Sequence, residues 1–182
     1  MAQMELKDGI TLLSGKRFDY NAPGACAVEI EDIAQPLSQI CRFAGQLPYF
    51  YSVAQHAVNT SYIVPPQFAY TALMHDTAEA FTNDIPTPLK VAVPAFKALE
   101  TDIEYAMGER FGFQFPLPAE VMLADRQMLG LEMLHIRGQD PRDHAILDGI
   151  EFEHLLPLVE LQTWTPRLAY ANFMRRYKEL RA

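Results

Sequence analysis

The sequence predicts an all-helical, single-domain protein. Apolar residues recur at the three- and four-residue spacing of an amphipathic helix, for example at Leu99, Ile103 and Met107. Proline and glycine divide the chain into segments of helical length, and no internal repeat, low-complexity segment or linker splits its 182 residues. We therefore expect one domain of six or seven helices, ordinary in size for a single core.

Residues 1–29 are predicted to form a short N-terminal arm that is irregular or folds as a hairpin. Turn-forming residues occur at positions 14–16 and 21–24. The apolar pieces at 10–13 and 27–30 are candidates for two short strands. The first eight residues have no basic segment followed by an apolar run, so a signal peptide is not expected.

Residues 30–138 are predicted to form the metal-binding helical core. The first helix begins with Asp32 as its N-cap. The second covers residues 53–64, and the third covers residues 66–81, where good helix formers continue without a breaker.

Residues 85–90 should then leave the helical path, because each of two prolines biases its predecessor away from helical angles. Helices follow at 95–113 and 118–136. Residues 139–182 form the C-terminal helices, with a short piece near 151–156 and an amphipathic helix over 166–180.

The overall charge limits the possible partners. The net charge is −8 and the isoelectric point about 5.1. A surface that covers many phosphates needs a positive charge, so a nucleic-acid polymer is not expected as a partner.

No apolar run reaches the roughly 18 residues of a membrane span. With two cysteines and no disulfide framework, we expect a cytoplasmic protein.

Potential metal ligands lie on three separate apolar helical segments: His56, His75 with Asp76, and Asp125. A single histidine on an apolar face is usually an ordinary core residue, but an unpaired buried carboxylate is costly. Two imidazoles and two carboxylates together suit a divalent transition metal. On a helix, Glu79 would share one face with His75 and Asp76.

The order of these residues resembles the H…HD…D signature of the HD-domain phosphohydrolases. The segment 75–79 followed by 84–90 is similar to the HDxxE…D(L/I)PxPxK pattern of the small HD nucleotidases. That group includes 5′-deoxynucleotidases and the phage dATP triphosphohydrolases associated with 2-aminoadenine genomes. Segments 30–34, 41–43 and 50–56 resemble the short, phage-rich branch, whose members would work in the host cytoplasm.

The resemblance implies an all-α HD-domain bundle and a role for each matching residue. His56, His75, Asp76 and Asp125 would bind one divalent transition metal (Zn²⁺, Co²⁺ or Mn²⁺), with Mg²⁺ as a possible ion on the substrate phosphates. Glu79 and Asp84 would be catalytic. The residues expected to contact substrate are Arg42, Phe43, Pro88, Lys90 and Arg126.

Two further sequence features refine the expectation. The 5′-deoxynucleotidases carry tryptophan after the arginine, where this chain has Phe43. Dinuclear HD enzymes need further histidines between the HD pair and the final aspartate, and this chain has none between His75 and Asp125. A mononuclear site is therefore expected.

The substrate is expected to be a small deoxynucleotide. Lys90 and the phage-like branch favour hydrolysis of dATP or another dNTP to deoxynucleoside and triphosphate. The alternative is a 5′-deoxynucleotidase that converts a dNMP to deoxynucleoside and phosphate. A third hypothesis is a catalytically inactive, nucleotide-binding regulatory module.

Relatives are commonly oligomeric, so a homo-oligomer, dimer or hexamer, is also expected. Aromatic residues near the two ends of the chain could form subunit contacts or simply core packing. They are Phe18, Tyr20, Trp164, Tyr170 and Phe173.

Overall fold

A computed structural model of the chain describes residues 9–182, and most of them are helical, as predicted. The part of the predicted arm at residues 1–8, and the expectation of no signal peptide there, lie outside the described residues. The α-helices within the described range are α1 (Glu31–Gln39), α2 (Val53–Ile63), α3 (Ala69–Met74), α4 (Glu79–Thr82), α5 (Thr87–Ala92), α6 (Pro94–Phe111), α7 (Ala119–Glu132) and α8 (Pro166–Arg181). None of the helices in that range is long and apolar enough to cross a membrane.

The arm contains a small antiparallel hairpin of β1 (Ile10–Thr11) and β2 (Arg17–Phe18), in which Ile10 faces Phe18. The first strand was predicted, but the second strand expected at 27–30 is wrong. The chain reverses earlier because Gly15 adopts a positive φ of 79°, which glycine tolerates without steric cost.

Asp32 fixes the arm to the helical core. It was predicted as the N-cap of the first helix, but the cap position is Ile30 and Asp32 lies inside the first turn. Its buried carboxylate accepts hydrogen bonds from the Ser14 backbone and hydroxyl, both at 2.8 Å, and from the Glu29 backbone at 3.0 Å. A buried carboxylate with three donors is well compensated, so it ties these segments together.

The predicted third helix over 66–81 is interrupted. Between α3 and α4, residues 75–78 form turns whose hydrogen bonds span three residues, from Thr77 N to Met74 O and from Glu79 N to Asp76 O. Three-residue turns eclipse side chains three positions apart. Asp76 and Glu79 therefore project to the same side, while the four-residue spacing from His75 no longer places Glu79 directly in line.

The expectation that residues 85–90 leave the helical path is wrong from residue 87 onward. Pro86 caps α5 and Pro88 lies in its first turn. The first-turn N–H groups of a helix have no intrahelical partner, so a proline there costs no hydrogen bond. The prolines thus start a helix, which carries Lys90 in its last turn.

The later helices follow the predicted order. Gly112, with φ of 73°, ends α6, and α7 continues as a π-helical turn, Met133–Arg137, that ends at Gly138. Short 3₁₀ turns occupy much of residues 141–158, and Thr165 caps α8 by accepting from the Leu168 backbone.

Helix α8 packs against α1, α2 and α3. The terminal aromatics are core residues: Phe18 and Phe173 are fully buried, and Tyr20, Trp164 and Tyr170 pack against the same cluster. Phe18 and Phe173 are therefore core-packing residues, while Tyr20, Trp164 and Tyr170 are partly buried against the core.

Residues 160–164 form a segment that we call the C-terminal strap, which is bound to α2. Gln55 donates to the carbonyl oxygens of Glu160 (2.9 Å) and Gln162 (2.7 Å) and accepts from Trp164 N (3.0 Å). Asn59 donates to the Glu160 carbonyl at 2.8 Å. These bonds connect the C-terminal strap to α2, the helix that carries His56.

Candidate active site

Three ligand-type side chains from three parts of the core converge on one point. His56 comes from α2, His75 directly follows α3 and Asp125 lies on α7; their ligand atoms all lie within 4.8 Å of one another. The His56 Nε2 atom is 3.1 Å from Asp125 Oδ1, and His75 Nε2 is 3.8 Å from the same oxygen. Both histidines are buried.

Asp76 completes the cluster. Its Oδ2 atom lies 3.2 Å from His75 Nε2 and 3.7 Å from His56 Nε2. This oxygen is buried and has no hydrogen-bond partner among the described residues. An orphaned carboxylate oxygen beside two imidazoles needs a cation to offset its burial. The donor set therefore fits a divalent metal.

Both imidazoles are oriented by a hydrogen bond at the other ring nitrogen. His75 Nδ1 lies 2.7 Å from the Ala72 carbonyl, and His56 Nδ1 lies 2.6 Å from Glu132 Oε1. Carbonyl and carboxylate oxygens only accept, so each Nδ1 carries the hydrogen. Each Nε2 lone pair is left facing the cluster, as metal coordination requires.

The cluster holds protons strongly when no metal is bound. Burial lowers the pKa of His75, but the Asp76 and Asp125 carboxylates raise it by more, to well above its ordinary value. Burial raises the pKa of Asp76, and the imidazoles of His75 and His56 together more than offset this, so the net shift is downward. Protons thus take the place of positive charge that a metal would supply.

Glu79 lies beside this cluster, and one of its two carboxylate oxygens makes no hydrogen bond to the described residues. The residue is 7% exposed, and its Oε2 atom has no hydrogen-bond partner within the described chain. Burial, then the nearby charges of Asp76 and Asp84, raise the pKa of Glu79 well above the usual range. A raised carboxyl pKa suits a group that exchanges protons near neutral pH.

A cavity of about 460 Å³ opens next to the cluster. Its size is in the range of small-molecule sites. The structure brings to it every predicted site residue except the two buried histidines: Arg42, Phe43, Asp76, Glu79, Asp84, Pro88, Lys90, Asp125 and Arg126.

Comparison with known proteins agrees with this geometry. The profile of the YfbR-like 5′-deoxynucleotidases matches residues 30–125. The uncharacterized Escherichia coli (strain K12) protein YfdR is 41% identical over 171 residues, which cover 94% of each chain. The chain belongs to the YfbR-like 5′-deoxynucleotidase family. It is therefore an HD-family, metal-dependent phosphohydrolase of deoxynucleotides, which confirms the resemblance found in the sequence.

Two further relatives are more distant. An uncharacterized Rhodobacter capsulatus protein is 33% identical over 123 residues, covering 62% of this chain and 63% of its own length. A 5′-deoxynucleotidase of Pasteurella multocida is 32% identical over 79 residues, covering 43% of this chain and 38% of its own length.

Asp84 fixes the backbone conformation on one side of the cavity. Its Oδ2 atom accepts from Phe43 N at 2.9 Å. Phe43 and Ala44 have positive φ values of 57° and 51°, which cost non-glycine residues roughly 1–2 kcal/mol each. The ring of Phe43 lies 5.5 Å from the Arg42 guanidinium carbon and 5.0 Å from that of Arg137. Asp84 and the two arginines thus hold Phe43 in place.

Two of the cations expected to contact substrate, Arg42 and Lys90, are paired with buried carboxylates. Arg42 Nε and Nη2 both lie 3.1 Å from Glu132 Oε2, and only Nη1 faces the cluster, 3.7 Å from Asp76 Oδ2. The Nε–Nη2 edge of Arg42 is therefore paired with Glu132. Lys90 Nζ donates to Glu100 Oε1 at 2.7 Å and lies 3.9 Å from Glu79.

Two functional carboxylates were not expected from the sequence: Glu132 and Glu100, whose side chains are 0% and 2% exposed. A signal for Glu132 exists: it follows Asp125 by seven residues, two helical turns along one face, within an apolar segment. An unpaired buried carboxylate is costly at Glu132 for the same reason as at Asp125, so both positions indicate a paired or liganded group.

Proposed function

We propose that this protein is a 5′-deoxynucleotidase that hydrolyses a deoxynucleoside 5′-monophosphate to deoxynucleoside and phosphate. The observation that carries this proposal is the charge balance of the cavity. Its lining includes four carboxylates, those of Asp76, Glu79, Asp84 and Asp125. Of the three cations that line it within residues 9–182, two are paired with the buried carboxylates of Glu132 and Glu100.

A small phosphate suits this balance. A phosphate monoester carries about 1.5 to 2 negative charges at neutral pH, which one divalent metal ion and the remaining Arg42 Nη1 can offset. A triphosphate carries more charge and needs further cations beyond the metal. Among the described residues that line the cavity, Arg126 is the cation left for that task.

The four clustered side chains of His56, His75, Asp76 and Asp125 would hold the metal, which we expect to be Zn²⁺, Co²⁺ or Mn²⁺. A metal bound there polarises a phosphoryl oxygen and lowers the pKa of a water molecule. Asp76 Oδ2, buried and without a hydrogen-bond partner, is the atom that most requires it.

Glu79 would accept a proton from the attacking water at Oε2, its unpartnered oxygen. The Lys90 ammonium, 3.9 Å away, favours the ionised form of Glu79 that this task needs. Arg42 Nη1 would donate to the phosphate. Asp84 would act by holding Phe43 at the cavity, where its ring can contact the sugar or base.

Hydrolysis of a dNTP to deoxynucleoside and triphosphate remains the alternative. It is supported by Lys90 and Arg126, which both line the cavity. Lys90 would have to leave Glu100 to reach the outer phosphates.

The test is to incubate the protein with Co²⁺ or Mn²⁺ and each dNMP and dNTP, and to separate the products by chromatography. We expect phosphate and deoxynucleoside from dNMPs. Intact triphosphate released from a dNTP would instead establish the alternative. The Glu79→Gln variant, which keeps the shape of the side chain, serves as the inactive control for contaminating phosphatases.

A further inference from the structure

Glu132 lies at the C-terminal end of α7, with its side chain completely buried. It is not one of the clustered ligand residues, yet it contacts one of them. A fully buried carboxylate is strongly disfavoured unless its oxygens are paired. Its partners therefore indicate what it does.

The two oxygens of Glu132 have different partners. Oε1 lies 2.6 Å from His56 Nδ1. Oε2 lies 3.1 Å from both Nε and Nη2 of Arg42. One buried carboxylate thus joins a proposed metal ligand to the cation nearest the metal site.

The contact at Oε1 decides which nitrogen of His56 carries the hydrogen. Because the carboxylate only accepts, Nδ1–H donates and the Nε2 lone pair faces Asp125. The Thr60 hydroxyl donates to the His56 carbonyl at 2.9 Å, so its hydrogen does not compete for Nε2.

His75 provides an internal comparison. Its Nδ1 is held by the backbone carbonyl of Ala72, which no side-chain substitution removes. Of the two imidazoles, only His56 depends on a replaceable side chain for its orientation.

The contact at Oε2 fixes the direction of Arg42. A guanidinium is planar, so holding Nε and Nη2 also sets where Nη1 points. The free nitrogen faces Asp76 Oδ2 at 3.7 Å, on the side of the metal cluster.

We propose that Glu132 is a positioning residue that sets the His56 tautomer for metal binding and aims Arg42 Nη1 at the substrate phosphate. This inference rests on the proposed metal site but not on the choice between dNMP and dNTP. It predicts that one substitution weakens metal binding without removing any metal ligand.

The first test measures Co²⁺ binding by calorimetry without substrate. In Glu132→Gln the amide offers one acceptor and one donor group, so it cannot accept from both His56 and Arg42. We expect the Co²⁺ dissociation constant to rise about 10- to 100-fold. Asp32→Asn is the matched control, because it alters another buried carboxylate, bonded to Ser14, and should leave Co²⁺ affinity unchanged.

The second test reads the tautomer by ¹⁵N NMR of the histidine rings, on metal-free protein at alkaline pH where the imidazoles are neutral. We expect the Nδ1–H form of His56 in the wild type and a mixture of tautomers in Glu132→Gln, with His75 unchanged. A general loss of structure would disturb both rings, so this pattern separates positioning from folding.

A folded Glu132→Gln variant with wild-type Co²⁺ affinity and an unchanged His56 tautomer overturns the proposal. If that variant does not fold, Glu132→Asp keeps the charge but has a shorter reach. It should also bind Co²⁺ more weakly, and wild-type affinity there overturns the proposal equally. Because both readouts omit the nucleotide, failure of the proposed nucleotidase activity would not affect them.

Discussion

The Nε2 atoms of His56 and His75 lie 3.4 Å apart. Both rings direct their Nδ1 hydrogens elsewhere, His56 to Glu132 and His75 to the Ala72 carbonyl. Two lone pairs at this distance repel each other unless a positive charge lies near both. The fold therefore favours positive charge between the two Nε2 atoms, which either bound protons or a metal ion can supply.

Metal binding should release protons. Burial lowers the pKa of His75, but Asp76 and Asp125 together raise it by more, so below that raised pKa a proton must leave before Nε2 can bind metal. We expect Co²⁺ affinity to increase with pH, by up to about tenfold per pH unit for each proton released. Calorimetry in two buffers with different ionisation enthalpies measures the number released, and a count of zero contradicts the prediction.

Glu79→Gln should abolish most of the activity while leaving the metal site intact. The amide cannot accept the proton assigned to Oε2, so kcat should fall about 10²- to 10⁴-fold. Co²⁺ affinity should stay close to wild type. The exposed Glu109→Gln is the control and should retain full activity. Wild-type kcat in Glu79→Gln would remove Glu79 from the mechanism.

Lys90→Met should move the acid limb of the kcat–pH profile to higher pH. The Lys90 ammonium lowers the pKa of Glu79 against the larger raising effect of burial. Without it, the pKa of Glu79 rises further, and Glu79 ionises only at higher pH. Lys97→Met is the matched control, since Lys97 pairs with Glu100 and Glu104. Equal shifts in the two variants would count against a direct effect of Lys90.

Glu104→Gln should stabilise the protein at alkaline pH. Burial raises the pKa of Glu104 to about 7, although Lys97 lowers it in part. Between its unfolded pKa and about 7, the folded state holds a proton that the unfolded state has released, so wild-type stability falls as pH rises through this window.

The glutamine side chain does not titrate, so the variant does not lose stability in this way as the pH rises. Its free energy of unfolding should exceed that of wild type above pH 7 by an amount on the order of 1–3 kcal/mol, and the difference should vanish in acid. Urea denaturation at about pH 5 and about pH 8 measures both ends of the window. A difference that does not grow with pH would refute the assignment.

The sequence predicts the helices and the clustered residues because both leave local signals. Apolar spacing marks α6, α7 and α8, and His56, His75, Asp76 and Asp125 stand out as polar groups in apolar segments. The error at α5 has a local cause too, since proline is unfavourable inside a helix but acceptable in its first turn.

The pairing of charges could not be predicted in this way. Arg42 and its partner Glu132 are 90 residues apart, and Lys90 meets Glu100 only because α5 folds back on α6. Local spacing shows that a charged residue is present, but only the packed structure shows that its charge is already used. For this reason the sequence identified Arg42 and Lys90 as substrate-contact candidates but could not show that they are paired with Glu132 and Glu100.

The segment that matches the family is smaller than the functional unit of this enzyme, because the C-terminal strap lies outside it. Asn59, on the same helix as His56, donates both to the Glu160 carbonyl in the strap and to the Tyr51 hydroxyl. A fragment ending at residue 125, where the family match ends, would carry all four proposed ligands but neither Glu132 nor the strap. Grafting the residue 30–125 segment onto another helical protein would therefore transfer the four proposed ligands without Glu132 and the strap, which hold the ligand-bearing helix in place.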